Sequence, residues 1–415
     1  MNGKNAILII GLISILIGYI KYNEDLYYGN DNHLNEINVN NKDFNLINSE
    51  LPLSHIIKLN DKFLICSGMN YPQIFIKQEY LLNNINNGGI YLYNINTKQL
   101  EKIELDNYPS KLQFHPQGLS LYQIDSENYY LYVINHLIKT EPEKNAEKIE
   151  KFKLQILMDK VTLYYKNSFS LPQEYFGTLN SIAAINEKIL YFTTNNYFSL
   201  PCFSENENNY MKYLYLIKFK IYEWLNILSK KLSISQTFLY SYDFETDEVN
   251  KIYKSDGISN RGLVYDPKNS LLYMVRSFEK DIKIFEISKN IPSNALLIKT
   301  IKTLYNAENI YYDGENKKIY CGIYGSIKSL KELGNSFIID GNFNNITTFG
   351  GFEEIDVEKE YEISDLILFK NELKGITTAI KINKDIFFSS IYQNGLLNFS
   401  EKRIYNLSRR INSSI

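Results

Sequence analysis

One unit recurs along this chain: a short polar opening, a first strand of alternating apolar residues, a tight turn and a second strand. It opens at Pro116-Gln117-Gly118-Leu119-Ser120, Leu179-Asn180-Ser181-Ile182-Ala183, Asn260-Arg261-Gly262-Leu263-Val264, Glu308-Asn309-Ile310-Tyr311-Tyr312 and Lys374-Gly375-Ile376-Thr377-Thr378. Second strands follow at 130–134, 189–193, 271–275, 319–322 and 386–390. Ahead of these, residues 55–59, 63–67, 89–93 and 100–105 show the period-2 pattern of four short strands separated by Asn, Gly and Asp turns. Units spaced irregularly by roughly 45 to 80 residues are what an all-β, six-bladed β-propeller with loop insertions presents. The last unit is short of strands, so a segment near the start is expected to complete it and close the ring.

At 415 residues the chain could hold two ordinary domains or one large repeat architecture. The recurrence selects the second. A net charge of -2 offers no field that would draw in nucleic acid, and none is expected as a partner.

Lys4 precedes an unbroken apolar run, residues 6–20, and Lys21, Glu24 and Asp25 follow it. The run is short for a spanning helix, which takes about 20 residues, and long for a signal core; no small-residue cleavage site follows. Residues 1–21 therefore read as a signal-anchor or transmembrane segment, or as an unmarked signal peptide, with a buried core helix as the plain alternative. Either membrane reading sends the rest of the chain to the secretory lumen or the cell exterior. There Cys66, Cys202 and Cys321 could form at most one disulfide, and the sequons at Asn345, Asn398, Asn406 and Asn412 fit a glycoprotein. The expected division is an anchor at 1–21, a polar Asn-laden tether at 22–50, a propeller at 51–400 and a polar tail at 401–415.

Two insertions stand apart from the strands. Residues 139–153 open as a balanced charge run, read as a solvated hairpin loop leading into a strand at 149–154. Residues 210–231 read as an amphipathic helix, with Leu214, Ile217, Ile221, Trp224, Leu225 and Leu228 on one face and Lys212, Lys220, Glu223 and Lys230 opposite. Such a helix packs across the propeller or lies on a membrane surface.

Chemistry is sparse. Glu308 and Asn309 put a carboxylate and an amide side by side at a strand mouth, two of the oxygens that a hard cation such as calcium recruits; in isolation they also suit a solvated turn. With only His33, His55, His115 and His136, and no His-Glu-x-x-His, Cys-x-x-Cys or Gly-x-Ser-x-Gly, zinc sites and a serine-hydrolase elbow find no support.

Seven blocks, Leu64-Ile-Cys-Ser-Gly-Met-Asn-Tyr-Pro72, His115-Pro-Gln-Gly-Leu-Ser120, Leu131-Tyr-Val-Ile-Asn-His136, Ile149-Glu-Lys-Phe-Lys153, Asn180-Ser-Ile-Ala183, Glu308-Asn-Ile310 and Lys374-Gly-Ile-Thr-Thr-Ala379, resemble in order those of the paraoxonase/arylesterase family. The resemblance spans residues 48–400 and includes the N-terminal hydrophobic segment. It implies a six-bladed propeller with calcium in the central tunnel and activity on lactones and aryl esters. Gluconolactonase and strictosidine-synthase-like propellers share the architecture but match the Asn-His and Lys-Gly-Ile-Thr-Thr blocks less well.

Carried over by residue, the resemblance places one catalytic calcium on Asn180, on Asn260 or its neighbour Arg261, on Glu308 where the family has Asp, and on Asn309. A further acidic ligand falls on Leu53 or Ser54 by direct count, or on Glu50 across a three-residue gap. The family's second, structural calcium needs acids where this chain has Ser54 and Ser181, so that ion is expected to be missing. The family's histidine pair maps to Gln117 and His136. Calcium would polarise the carbonyl while His136 or Glu308 activates water. The alternative expectation is a non-catalytic, membrane-tethered propeller that serves as a binding scaffold.

Overall fold

Alternating strands need turns that stop them, and the Asn and Asp residues of this chain supply them. Asn94 accepts hydrogen bonds from the backbone N–H groups of Asn96 and Thr97, and Asp313 does the same for Glu315 and Asn316. Asn60, Asp125, Asn186, Asp243, Asp266 and Asp356 repeat the pattern. The side chain imitates a backbone turn and satisfies the amides that point out of the ladder where each hairpin reverses. Four residues after such a cap, Lys98, Asp247, Ser270, Lys317 and Glu360 take φ values from 56° to 59° or 55°, completing the reversal into the next strand.

The computed structural model describes residues 44–70, 88–137, 147–158, 160–170, 178–195, 237–255, 259–288, 291, 293–325, 349–370 and 374–400. The strands run β1 (Phe44–Lys58), β2 (Phe63–Gly68), β3 (Gly89–Asn94) and β4 (Gln99–Lys102), then a short β5 (Leu105–Asp106). Next come β6 (Pro116–Gln123), β7 (Asn128–His136), β8 (Glu147–Leu157) and β9 (Lys160–Ser170), with β5 pairing parallel to β9. Three four-stranded meanders follow: β10 (Leu179–Ala184) to β13 (Glu248–Lys254), by way of β11 (Ile189–Thr194) and β12 (Phe238–Asp243); β14 (Asn260–Asp266), β15 (Leu271–Arg276), β16 (Asp281–Ile287) and β17 (Ala295–Lys302); and β18 (Asn306–Asp313), β19 (Lys318–Tyr324), β20 (Phe349–Asp356) and β21 (Glu362–Lys370). The last strands, β22 (Ile376–Ile382) and β23 (Asp385–Ser400), join the first sheet in the order β22-β23-β1-β2-β3-β4.

The first strands touch one another in a closed circle, β1 to β6, β10, β14, β18, β22 and back to β1. The chain is a β-propeller. The ring closes through β1 in the way the shortage of strands in the last unit implies: its residues 44–47 pair with 399–396 of β23, and its residues 53–58 pair with 68–64 of β2. The folded part therefore starts at Phe44, and residues 44–50, read as tether, are strand. The anchor at 1–21, the helix at 210–231, the tail at 401–415, Cys202, Asn345, Asn406 and Asn412 lie outside the described residues. Asn398 is buried in β23, where a glycan would have to be housed inside the sheet.

The second strands carry a repeated apolar-Tyr-apolar triplet, and the structure shows why. Tyr132, Tyr191 and Tyr273 are each 0% exposed and Tyr320 is 3% exposed, packed between one sheet and the next. A propeller strand near the axis is covered on both faces, so its pattern is a near-continuous apolar run. Cys66 and Cys321 are free, buried thiols whose burial pushes their ionisation up, and neither forms a disulfide.

Glu353 is the outlier of this packing. It is 0% exposed in β20 opposite Cys321, and both its oxygens accept from the Leu304 N–H at 3.3 Å. Burial raises its carboxyl to about 7, against the lowering effect of the Leu304 and Tyr305 amides. The native state thus holds a proton that the unfolded chain releases near the ordinary Glu value. Stability from this group is fully present below that value and is lost as pH rises towards 7, by on the order of 3 kcal/mol. Glu353→Gln is expected to flatten this dependence: urea unfolding shows little change at about pH 5 and a gain at about pH 8. Equal pH slopes in both proteins would refute it.

Candidate active site

Every first strand breaks register at the same end. The ladder slips between Leu53 and His55, Pro116 and Leu119, Leu179 and Ser181, Asn260 and Leu263, Ala307 and Ile310, and Ile376 and Thr378. A bulge inserts an extra residue, bends the strand and re-aims its side chain. The residues so displaced are Ser54, Gln117-Gly118, Asn180, Arg261-Gly262, Glu308-Asn309 and Thr377. The polar openings that punctuate the sequence are these bulges, gathered at the same end of the circle of first strands.

Adjacent bulges are locked together. A Cβ on Gly262 would meet Asn309 Cα at 2.6 Å, and one on Gly118 would meet the Asn180 carbonyl at 2.9 Å, so both positions need glycine for the strands to approach. Hydroxyls clamp the displaced carbonyls: Ser67 Oγ donates to Gln117 O at 2.5 Å, Thr193 Oγ1 to Arg261 O at 2.8 Å and Thr377 Oγ1 to Ser54 O at 2.6 Å. Ser54 Oγ pairs with Ser67 Oγ at 2.9 Å, and Ser181 Oγ accepts from Leu263 N at 3.0 Å. Both serines at the family's second-ion positions are thus engaged in holding neighbouring strands. His55 is another tie: it is buried, Nδ1 accepts from Leu119 N at 2.8 Å, and burial lowers its pKa to about 4, which keeps the ring neutral.

The register places Arg261, with Gly262, in the bulge equivalent to Gln117-Gly118 and Glu308-Asn309; Asn260 stays in the ladder opposite Arg276. Arg261 Nη1 donates to Glu308 Oε1 at 2.7 Å, and its Nε donates to Ser259 Oγ at 2.9 Å. The Glu308 side chain is 8% exposed and that of Arg261 20% exposed. Tyr324 is buried beside them, with its hydroxyl 2.7 Å from Ser277 Oγ; burial pushes its phenol up, Arg261 opposes that and Glu308 adds to it. Asn180, Asn260 and Asn309 are all buried. Among the described residues, Asn180 Oδ1 and both amide atoms of Asn260 lack a hydrogen-bond partner. Leu53 pairs with Gly68 at the first bulge, while Glu50 is exposed on β1, where its carbonyl accepts from Asn394.

Two unpartnered amide oxygens are donors of the kind calcium takes. The charges argue the other way. Among the described bulge residues the one carboxylate, Glu308, already carries a cation, and a divalent ion on its Oε1 would stand on the order of 5 Å from the guanidinium. At an effective dielectric constant near 20 the two would repel by roughly 7 kcal/mol. The whole binding energy of a micromolar site is about 8 kcal/mol. As arranged, these residues do not fit a calcium ion.

On the other side of the ring, His136 ends β7 and is 3% exposed. Its Nδ1 lies 2.8 Å from Oε2 of Glu147, the first residue of β8 and its ladder partner, itself 2% exposed. Its Nε2 contacts Oε1 of the bulge residue Gln117. A carboxylate on Nδ1–H fixes the tautomer and stabilises the charged ring. The Gln117 amide suits both protonation states: its oxygen accepts from an imidazolium, and its nitrogen, after a half turn, donates to a neutral ring. Beneath, His136 N donates to His115 O at 3.2 Å, and the buried His115 ring is lowered to about 4 by desolvation and by His136.

Glu147 escaped the sequence reading. The charge run at 139–153 reads as a loop entering a strand at Ile149, whereas β8 starts at Glu147. Counting back by two from Ile149 would have placed Glu147 on the same buried face.

A family model described as arylesterase matches residues 30–217. Serum paraoxonase/arylesterase 2 of Rattus norvegicus is 22% identical over 312 residues, covering 74% of this chain and 76% of the relative. The Canis lupus familiaris protein of the same name is 22% identical and covers 84% and 88%; serum paraoxonase/arylesterase 1 of Homo sapiens is 24% identical and covers 64% of each. Among solved structures, a gluconolactonase from Xanthomonas campestris aligns with a TM-score of 0.47 at 8% identity, over 86% of this chain and 88% of that one.

Proposed function

Since the chain is a distant member of the paraoxonase/arylesterase family, we propose that it hydrolyses small esters or lactones at the bulge end of the tunnel. The six-stranded sheet counts in this reading as two blades sharing β1, which makes six blades in all. The observation that carries the reading is the His136–Glu147 pair, buried behind the bulge residue Gln117.

With the Gln117 amide turned away from Nε2, His136 takes the proton from water there as the water attacks the carbonyl, while Glu147 holds the ring through Nδ1. The tetrahedral adduct then breaks its ester C–O bond as the imidazolium returns that proton to the departing alkoxide. The buried amide N–H of Asn260 is a donor for the oxyanion, since it has no other partner among the described residues. The calcium step expected from the resemblance does not enter, because Glu308 is already paired with Arg261. Glu308 then acts as a counter-charge rather than as a base. The apolar segment at 6–20, outside the described residues, supports a membrane-anchored propeller on the lumenal or extracellular side.

The test is a screen of the full chain against lactones and aryl esters, with Glu147→Gln alongside. We expect turnover, lowered by about 10- to 100-fold in kcat in the variant with KM little changed, as for loss of a positioning partner. No turnover of either class would leave the propeller as a binding scaffold. Equal kcat in the two proteins would remove the His136–Glu147 pair from the mechanism.

A further inference from the structure

At the bulge ring a cationic side chain sits on the Glu308 carboxylate, and the inference rests on the bulge ring being the functional site but not on catalysis. Arg261 is displaced into the ring by its own bulge, next to Gly262, whose lack of a side chain lets β14 approach Asn309 of β18. From there its guanidinium bonds the Glu308 carboxylate at 2.7 Å, while Ser259 Oγ orients it through Nε. Its backbone is fixed as well, by Thr193 on the neighbouring sheet. The arrangement is built, with anchors on both the side chain and the main chain.

We propose that Arg261 is a tethered cation that takes the place of a metal ion in this ring, so that the native tunnel is charge-complete without calcium. A guanidinium matches a carboxylate in geometry and never loses its charge at ordinary pH. It also competes: calcium reaches Oε1 of Glu308 only by displacing the Arg261 guanidinium. The amide oxygens of Asn180 and Asn260 remain as latent donors, so a calcium site is one residue removed from being exposed. Deleting the arginine leaves Glu308 a buried carboxylate without this partner, a costly state that calcium would relieve.

Thermal unfolding of the full chain in millimolar calcium and in chelator tests this without reference to turnover. For the wild type we expect the same Tm in both conditions and no calorimetric binding. Arg261→Ala should lose stability in chelator, recover it in calcium, and bind one ion at least about tenfold more tightly than the wild type. Arg261→Lys should behave as the wild type. Arg261→Ala combined with Glu308→Gln should lose both the penalty and the calcium response, which separates a charge effect from a packing defect. A wild-type Tm that rises with calcium as much as that of Arg261→Ala would overturn the proposal, as would a folded Arg261→Ala protein indifferent to calcium. The wild-type measurement decides even if a variant fails to fold.

Discussion

If the protein hydrolyses esters or lactones as proposed, His136→Ala is expected to lower kcat by about 10²–10⁴-fold, the range lost with a positioned general base. Three features of its setting are the basis of that expectation. The ring is oriented through Nδ1 by Glu147, and the attacking water takes the place of the Gln117 amide at Nε2. It is buried at the ladder end next to a bulge, where the strand geometry and not a loop sets its orientation. The other described histidines are committed elsewhere: the His55 ring receives Leu119 N, and burial holds His115 neutral down to about 4, so neither replaces His136 as a base. Truncation also leaves Glu147 without its imidazole, so stability must be measured beside rate. His136→Gln keeps a donor for Glu147, and it should match His136→Ala in lost kcat while unfolding closer to the wild type. A kcat within a factor of about three of the wild type would exclude His136 as the base.

The strands of this propeller were legible because period-2 alternation and Asx turns are local signals, and the openings at Pro116, Leu179 and Asn260 coincide with the starts of β6, β10 and β14. What alternation cannot carry is a bulge, since one extra residue shifts the phase without changing the apolar pattern around it. That is why sequence alone leaves Asn260 and Arg261 open as alternatives, whereas pairing across the ladder, Asn260 with Arg276 and Leu263 with Met274, puts Arg261 in the bulge. The Arg261–Glu308 pair joins residues 47 apart on neighbouring sheets, and nothing local announces it. Glu147 was hidden for a different reason. Its charge fits a solvated loop, and its burial is explained by pairing across the ladder with His136, which the local sequence does not announce.

Asp281→Ala costs about 3 kcal/mol of stability and disturbs the ring from behind, because it removes the carboxylate that a buried guanidinium grips at two points. Arg276 at the end of β15 donates from Nε to Asp281 Oδ1 at 2.7 Å and from Nη2 to Oδ2 at 2.6 Å, with side chains 6% and 2% exposed. Arg276 is also the ladder partner of Asn260, the residue before the Arg261 bulge, so the fork braces the strand that presents the tethered cation. The partners are not equivalent. Arg276→Ala leaves Asp281 with Lys302 Nζ at 3.3 Å, a largely exposed cation, and is therefore expected to cost less. Removing both charges, Arg276→Met with Asp281→Ala, should recover part of the loss of Asp281→Ala alone, since two buried charges are better absent together than left one at a time. Denaturant unfolding of the three variants gives the order directly. A double variant at the sum of the single losses would mean that the pair is not coupled, and the bracing of Asn260 would then have to come from the ladder alone.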